Sequence, residues 1–368
     1  MALILTFLGK GGTGRTTTAI AAAKQLSNQG SRVLLVGQDP TPAFSLLLGL
    51  SPNSESPTEI APNLQAVQLQ ATKLLEQSWE EAKKMEAQYL RTPTLKNVYG
   101  QELGVLPGMD SALALNALRE YNATGKYDVI IYDGPGDITL LRMLGIPEIL
   151  SWYIRRFRQV FAESDLGKAI APFIQPVTSA ILNVTWTAEQ LTQQPSDQAN
   201  QLLEEGKAAL ADPNRVVSFL VTSDDPTARA TAKYLWGSAQ QVGLTVGGVL
   251  VNQAQASEEI TSEFAPLSLT SLPSCSEGDW QPLIEALPNF SQQAAQAPKP
   301  VTVDLSERQV HLFLPGFNKN QVNSDFSNVS HTHILTQILF TITELATCLI
   351  STRHNQRLWR GTYGKIVK

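Results

Sequence analysis

The stretch "LGKGGTGRTTTA", Leu8 to Ala19, decides how the rest of the chain is read. Before it stands the apolar run Leu3 to Leu8. After it come an Ala-rich helical stretch, Thr16 to Ser27, then Gly30 and a second apolar run, Arg32 to Val36. Two apolar runs joined through a helical segment make one βαβ unit. A glycine loop between strand and helix is the context in which a phosphate-loop match carries weight, and Gly9 to Thr16 fits the spacing GxxxxG[K/R]T. The backbone N–H groups of Gly11, Gly12, Thr13, Gly14 and Arg15 are then placed to curl around a phosphate, and the helix N-terminus adds its partial positive charge. Thr16 follows the basic residue and is placed to ligate Mg²⁺ through its hydroxyl; Thr17 completes the nucleotide-binding candidates of the loop. Where such loops carry lysine, this one has Arg15. Guanidinium keeps the positive charge and grips phosphate bidentately, but it is bulky and planar where ammonium is a compact point charge.

Further buried-strand candidates are Tyr127 to Tyr132, Val216 to Val221 and Val246 to Val251, each separated from its neighbours by helical segments. Continuous apolar strands alternating with helices indicate an α/β fold with a mostly parallel central sheet covered on both faces. Two helical tracts, Ala71 to Leu90 and Leu150 to Leu210, are too long for simple crossovers and predict inserted helical subdomains near 51–100 and 150–210. Residues 291–300 have linker composition. Beyond them Val301 to Leu314 alternates as a strand and closes on Pro315 and Gly316. The expected organisation is a domain over 1–290, a linker over 291–300 and a small β-rich module over 301–368.

With 43% hydrophobic and 17% charged residues, the 368-residue chain is globular rather than disordered. Its net charge of -5 argues against nucleic acid as the main partner, because such partners draw a basic face. The two cysteines, Cys275 and Cys348, form neither a disulfide framework nor a zinc motif, which fits a reducing cytoplasm. The opening run Ala2 to Leu8 has no basic leader and enters the glycine loop directly, so it is expected to be a strand rather than a signal peptide.

The segment "KGGTGRTT" from Lys10 resembles the KGGxGKTT signature of the deviant Walker A ATPases. In that superfamily the early lysine reaches across a dimer interface to the partner's nucleotide, so the resemblance implies a homodimer and a catalytic part for Lys10. "VLLVGQDPTPAFS", Val33 to Ser45, looks like the first switch of the branch that holds arsenical-pump ATPases and the targeting factors for tail-anchored membrane proteins. There Asp39 would hold the position of the aspartate that polarises the attacking water. An aspartate ending a buried apolar strand is a Walker B arrangement, so Asp133 is expected to reach Mg²⁺ directly or through water. Its sequel "TLLRMLGIPEIL" resembles the same branch, whereas "DGPGD", Asp133 to Asp137, departs from the branch's "DTAPTGH" pattern. "LPGMDSALAL" from Leu106 resembles its "PGxDEA" segment. "VNQ", Val251 to Gln253, resembles its adenine-binding strand end, which implies Asn252 on the base and Pro273 in the adenine-side loop. ATP and Mg²⁺ are the implied cofactors.

The metalloid cysteines and the zinc clasp found in members of this branch have no counterpart here. Four methionines are few for a flexible client groove. "ILSWYIRRFRQVF", Ile149 to Phe161, sets Trp152, Tyr153, Phe157 and Phe161 near helical spacing beside three arginines, for packing or for client or lipid contact. "VHLFLPGFNKNQV", Val310 to Val322, resembles an α-crystallin domain, and an ATPase with that appendage resembles a subgroup of cyanobacteria and plastids. After residue 322 the pattern is atypical: an apolar, Thr-rich run, then a basic end. It reads as a diverged strand pair, a membrane-associating helix or a changed reading frame; a span is ranked last because the run is shorter than the roughly 20 residues required.

The expected function is therefore a homodimeric, cytoplasmic Mg²⁺-ATPase in which Arg15 holds the β- and γ-phosphates. Its nucleotide state would govern a hydrophobic or membrane-protein client site, with peripheral membrane contact open. A nucleotide-binding chaperone or scaffold with negligible turnover is the second reading, kept open by Arg15. A membrane- or DNA-partitioning ATPase is the third, disfavoured by the acidic charge.

Overall fold

A computed structural model of the chain describes residues 1–38, 43–49, 56–89, 108–152, 197–274, 279–304, 309–313, 315 and 363–367. In chain order the elements are β1 (Leu3–Leu8), α1 (Arg15–Asn28), β2 (Val33–Gly37), α2 (Ala43–Leu48), β3 (Thr58–Ala61), β4 (Leu64–Gln68), α3 (Ala71–Tyr89), α4 (Met109–Ala123), β5 (Val129–Asp133), α5 (Ile138–Leu144) and α6 (Asp197–Ala211). They continue with β6 (Val216–Thr222), α7 (Pro226–Gln241), β7 (Val246–Asn252), α8 (Glu258–Phe264), β8 (Leu269–Leu272), α9 (Gln281–Ala286), α10 (Phe290–Gln296), β9 (Val301–Asp304), β10 (Gln309–Phe313) and β11 (Tyr363–Val367). The chain divides into two compact units, one of residues 1–2, 31–130 and 142–209, the other of 3–30, 131–141 and 210–368.

In the first unit the strands run in the order β3-β4-β2-β5, with Val129 and Ile130 of β5 included. β2 and β4 pair in parallel, and β3 lies antiparallel to β4 at the edge. Apolar residues fill β2 completely, as a strand covered on both faces requires. Arg32 and Asp128 form a forked ion pair at the start of β2, with the guanidinium 2.7 Å from one carboxylate oxygen. Leu75 of α3 packs with Met109 and Leu113 of α4 in a cluster of their own.

The stretch near 51–100 was expected to be helical, but it opens with β3 and β4, and the helix starts only at Ala71. Their burial is mixed, so neither is written as the continuous apolar run that marks the fully buried strands. Asn63 turns between them at a φ of 60°, a conformation asparagine tolerates better than most residues. Of the tract near 150–210, the described part ends in α6, and residues 153–196 lie outside the described residues.

In the second unit the order is β5-β1-β6-β7-β8, with Ile131 to Asp133 of β5 included. β1, β6, β7 and β8 pair in parallel. Leu5, Leu8, Val217, Phe219, Val249 and Val251 are all fully buried, which explains the near-continuous apolar runs. The expected linker over 291–300 gives way to helix α10 across its first six residues. Asn289 caps that helix through Gln292 N–H, and the ring of Phe290 stands edge-on to Phe7 and Phe219, with centroids 6.1 and 4.9 Å away. The helix is thus held by core packing that its Gln- and Ala-rich composition does not advertise.

Beyond it, β9 and β10 form an antiparallel pair, and β11 joins β10 on the other side. Phe313 of β10 meets Trp236 of α7 at 5.8 Å between ring centroids. The basic end of the chain, which looked foreign to a β module, therefore supplies a strand in register from Tyr363 opposite Phe313 to Val367 opposite Gln309. Residues 316–362 lie outside the described residues, and with them the apolar run considered as a membrane helix. Among the described residues no helix is long and apolar enough to cross a membrane.

Candidate functional site

Because β1, β6, β7 and β8 are parallel, their carboxyl ends share one edge, and in open α/β sheets that edge is where ligands bind. The glycine loop leaves β1 at this edge. Gly9 is buried, its N–H donates to the Gly136 carbonyl at 2.9 Å, and a Cβ there would collide with the Val221 carbonyl at the end of β6. Gly11 and Gly12 are exposed, and a Cβ at either would meet nothing within 4 Å. The loop's concavity is kept by Thr13, whose hydroxyl and N–H both donate to the Lys10 carbonyl, at 2.9 and 3.3 Å.

Gly14 occupies the N-cap of α1 with a φ of 89°, a left-handed conformation that glycine adopts without cost. A Cβ at Gly14 would also strike the side chain of Asn252. Helix α1 has no side-chain cap and no acidic residue in its first turn. The contrast with α7 in the same unit is informative: there Asp225 accepts from Ala228 N–H at 2.9 Å and Pro226 stands at the first turn. An uncapped helix start leaves its donors for an outside acceptor.

Arg15 does not stand in open solvent. Its guanidinium donates to the carbonyl of Pro135 and, at 3.5 Å, to that of Gly134, both in the loop after β5. Burial lowers its pKa, and the charges of Asp133 and Asp137 work in the opposite direction. Asp133, the last residue of β5, is buried at 7% exposure. Beside it, burial and the Asp133 charge push the Tyr132 phenol well above its ordinary range. β5 is tied to β1 by the Thr6 hydroxyl, which donates to the Tyr132 carbonyl at 2.9 Å.

Asn252 ends β7, and its side-chain amide donates to the Thr13 carbonyl at 2.9 Å. Pro273 is exposed and follows β8, whose last residue Leu272 lies opposite Asn252 in the pairing register. Lys10 is exposed, and its charge contributes, as the smallest of several causes, to holding the Asp225 carboxyl below its usual range; the cap bond from Ala228 N–H is the largest. Thr16 and Thr17 are half-buried in the first turn of α1. The structure thus gathers Lys10, Gly11, Gly12, Thr13, Gly14, Arg15, Thr16, Thr17, Asp133 and Asn252 in one unit. Asp39 lies outside the described residues, as do Cys275, Cys348 and the aromatic residues Tyr153, Phe157 and Phe161.

Sequence reasoning missed the backbone partners of the loop: the carbonyls of Gly134, Pro135, Gly136 and Val221. The signal was present in "DGPGD", whose departure from the expected pattern was visible but whose link to Arg15 was not.

These residues fit a nucleotide with Mg²⁺. The open, exposed Gly11 and Gly12 and the uncapped start of α1 suit a polyphosphate. Among the described residues no three His, Cys, Asp or Glu side chains gather into a metal cage. Mg²⁺ bound to a nucleotide takes only one or two protein ligands, the rest being phosphate and water. The Thr16 hydroxyl and the Asp133 carboxylate are the oxygen donors of the right type.

A family model described as anion-transporting ATPase matches residues 2–268. An arsenical pump-driving ATPase, so named, of Prosthecochloris vibrioformis is 33% identical over 157 residues, covering 43% of this chain and 38% of that protein. A Streptomyces coelicolor protein whose name assigns no function is 26% identical over 340 residues, covering 87% of this chain and 85% of that one. ATPase GET3 of Malassezia globosa is 26% identical over 172 residues, covering 46% and 48%. The chain spans about two fifths of the length of the arsenical pump-driving relatives it matches.

Proposed function

The chain belongs to the anion-transporting ATPase family, and from that premise we propose that it is a deviant Walker A, Mg²⁺-dependent ATPase. In this reading it works as a homodimer in the cytoplasm and couples nucleotide state to a hydrophobic or membrane-protein client, with peripheral membrane contact as part of delivery. The observation that carries it is the start of α1, which no side chain caps, behind exposed Gly11 and Gly12. The similarity to a Malassezia globosa protein named ATPase GET3 supports the ATPase part of this reading.

The roles follow from the chemistry of each group. N–H groups from Gly11 to Arg15 bind the phosphates, and the positive end of α1 orients them. Thr16 and Asp133 hold the metal ion, which when bound neutralises charge on the phosphate oxygens. Asp39 accepts a proton from, and orients, the attacking water. Lys10 serves the partner subunit's phosphates, and Asn252 with Pro273 serves the base. The β-rich module over 301–368 is an α-crystallin-like appendage, as in the cyanobacterial and plastid subgroup.

A second reading, binding with negligible turnover, is favoured by one observation: the Arg15 guanidinium is engaged by backbone carbonyls. Single-turnover hydrolysis of Mg²⁺-ATP separates the two. Wild type is expected to bind and cleave, Asp39→Asn to bind with cleavage reduced by about 100-fold or more, the range for loss of a general base starting there. Arg15→Lys is expected to change the rate while retaining binding. Wild-type cleavage no faster than that of Asp39→Asn rejects the enzyme in favour of the scaffold.

A further inference from the structure

The chain departs from the pattern of the branch it resembles twice, at Arg15 in the phosphate loop and at "DGPGD" after β5, and the structure brings the two departures into contact. Three consecutive carbonyls after β5 are held from the glycine-loop side: those of Gly134 and Pro135 by the Arg15 guanidinium, and that of Gly136 by Gly9 N–H at 2.9 Å. Gly136 is buried and has a φ of 65°. A Cβ there would overlap Arg15 Nη1 and come within 2.5 Å of Cζ and 2.9 Å of Cδ, so the guanidinium occupies the space that any other residue at 136 would fill.

We propose that Arg15 and Gly136 are a matched pair: Gly136 is the positioning residue that seats the loop's guanidinium on the backbone after β5, and a nucleotide's phosphates must share or take the guanidinium from those carbonyls. The inference rests on the ATP-binding reading above.

Three physical features support it. A guanidinium presents its donors in a planar fork and can serve two neighbouring carbonyls, whereas an ammonium is a compact donor on a flexible stem. Asp133 and Asp137 flank the guanidinium and oppose the loss of charge that its burial favours. The held segment leads directly into α5 at Ile138, so taking the guanidinium frees two carbonyls immediately before a helix. Phosphate occupancy of the loop is thereby felt at the carbonyls of Gly134 and Pro135.

A double-mutant cycle tests the pairing. Affinity for a fluorescent ATP analogue with Mg²⁺ is measured on wild type, Gly136→Ala, Arg15→Lys and the double variant, with urea-unfolding midpoints to establish that each is folded. Alanine at positive φ carries a backbone cost in both backgrounds, and the cycle removes it. With arginine present, Gly136→Ala is expected to change the affinity by about tenfold, and in the Arg15→Lys background by less than about threefold, a coupling typical of residues in contact. Gly136→Asn repeats the cycle with a residue that tolerates positive φ, should the alanine variant fail to fold. Equal fold-changes in the two backgrounds overturn the pairing while leaving the ATPase reading intact. A folded wild type that does not bind the analogue overturns the ATPase reading, and the pairing's role in binding with it.

Discussion

Asn252 shows how a single side chain ties two strands' loops together. Its amide donates to the Thr13 carbonyl, and its bulk lies where a Cβ on Gly14 would be, so it braces the loop from the end of β7. Removing it leaves a partly buried carbonyl without that donor, which costs about 1 kcal/mol. Asn252→Ala is therefore expected to lower the unfolding free energy by about that amount in nucleotide-free protein, as urea titration measures. Asn252→Asp is expected to do worse, since it sets a carboxylate against a carbonyl oxygen. An Asn252→Ala variant with unchanged stability and weakened nucleotide affinity assigns the residue to the base alone.

At the scale of elements, α10 is the part of the chain whose composition misleads most. Ser291 to Gln296 is polar and Ala-rich, so periodicity has little to work with; the decisive residue is Phe290, which falls just outside the stretch. Phe290→Ala is expected to cost about 3–5 kcal/mol, the range for a large buried aromatic, against nothing measurable for a residue beside a free linker. Thermal or urea unfolding reads the difference. β1, β2, β5, β6 and β7 were legible because a strand buried on both faces is written as an uninterrupted apolar run. β3, β4 and β8 were not, because their mixed burial breaks that run. The same distinction holds in the site. Gly14, Thr16 and Asp133 carry their chemistry in residue type and spacing. The carbonyls of Gly134, Pro135 and Gly136 carry theirs in backbone position, which no residue letter encodes.

At the scale of the whole molecule, the homodimer follows from the proposed role of Lys10 on the partner's phosphates. Lys10 is exposed and has Asp225 as an electrostatic neighbour, so it is available on the surface of its own subunit. With Mg²⁺-ATP, the hydrolysis-impaired Asp39→Asn variant is expected to sediment as a dimer, and adding Lys10→Ala to shift it back toward monomer by about tenfold in dissociation constant, typical of losing a charge-assisted contact. Sedimentation that ignores nucleotide counts against the sandwich arrangement.

The parallel pairing of β1 with β6 has a further consequence, one of time. Ile4 lies beside Val216, and Leu8 beside Leu220. At roughly 5–20 residues per second, a ribosome needs on the order of 10–40 s to make the chain between them. Throughout that interval β1 lacks its β6 neighbour, and the supports of the glycine loop at Gly136, Val221 and Asn252 reach it one after another in order of synthesis. Newly made chains thus pass through a window of vulnerability to aggregation that nucleotide cannot shorten, because a ligand stabilises only the state that already holds its site. On the proposed reading ATP protects the mature protein, whereas nascent protein depends on whatever shields its first strand.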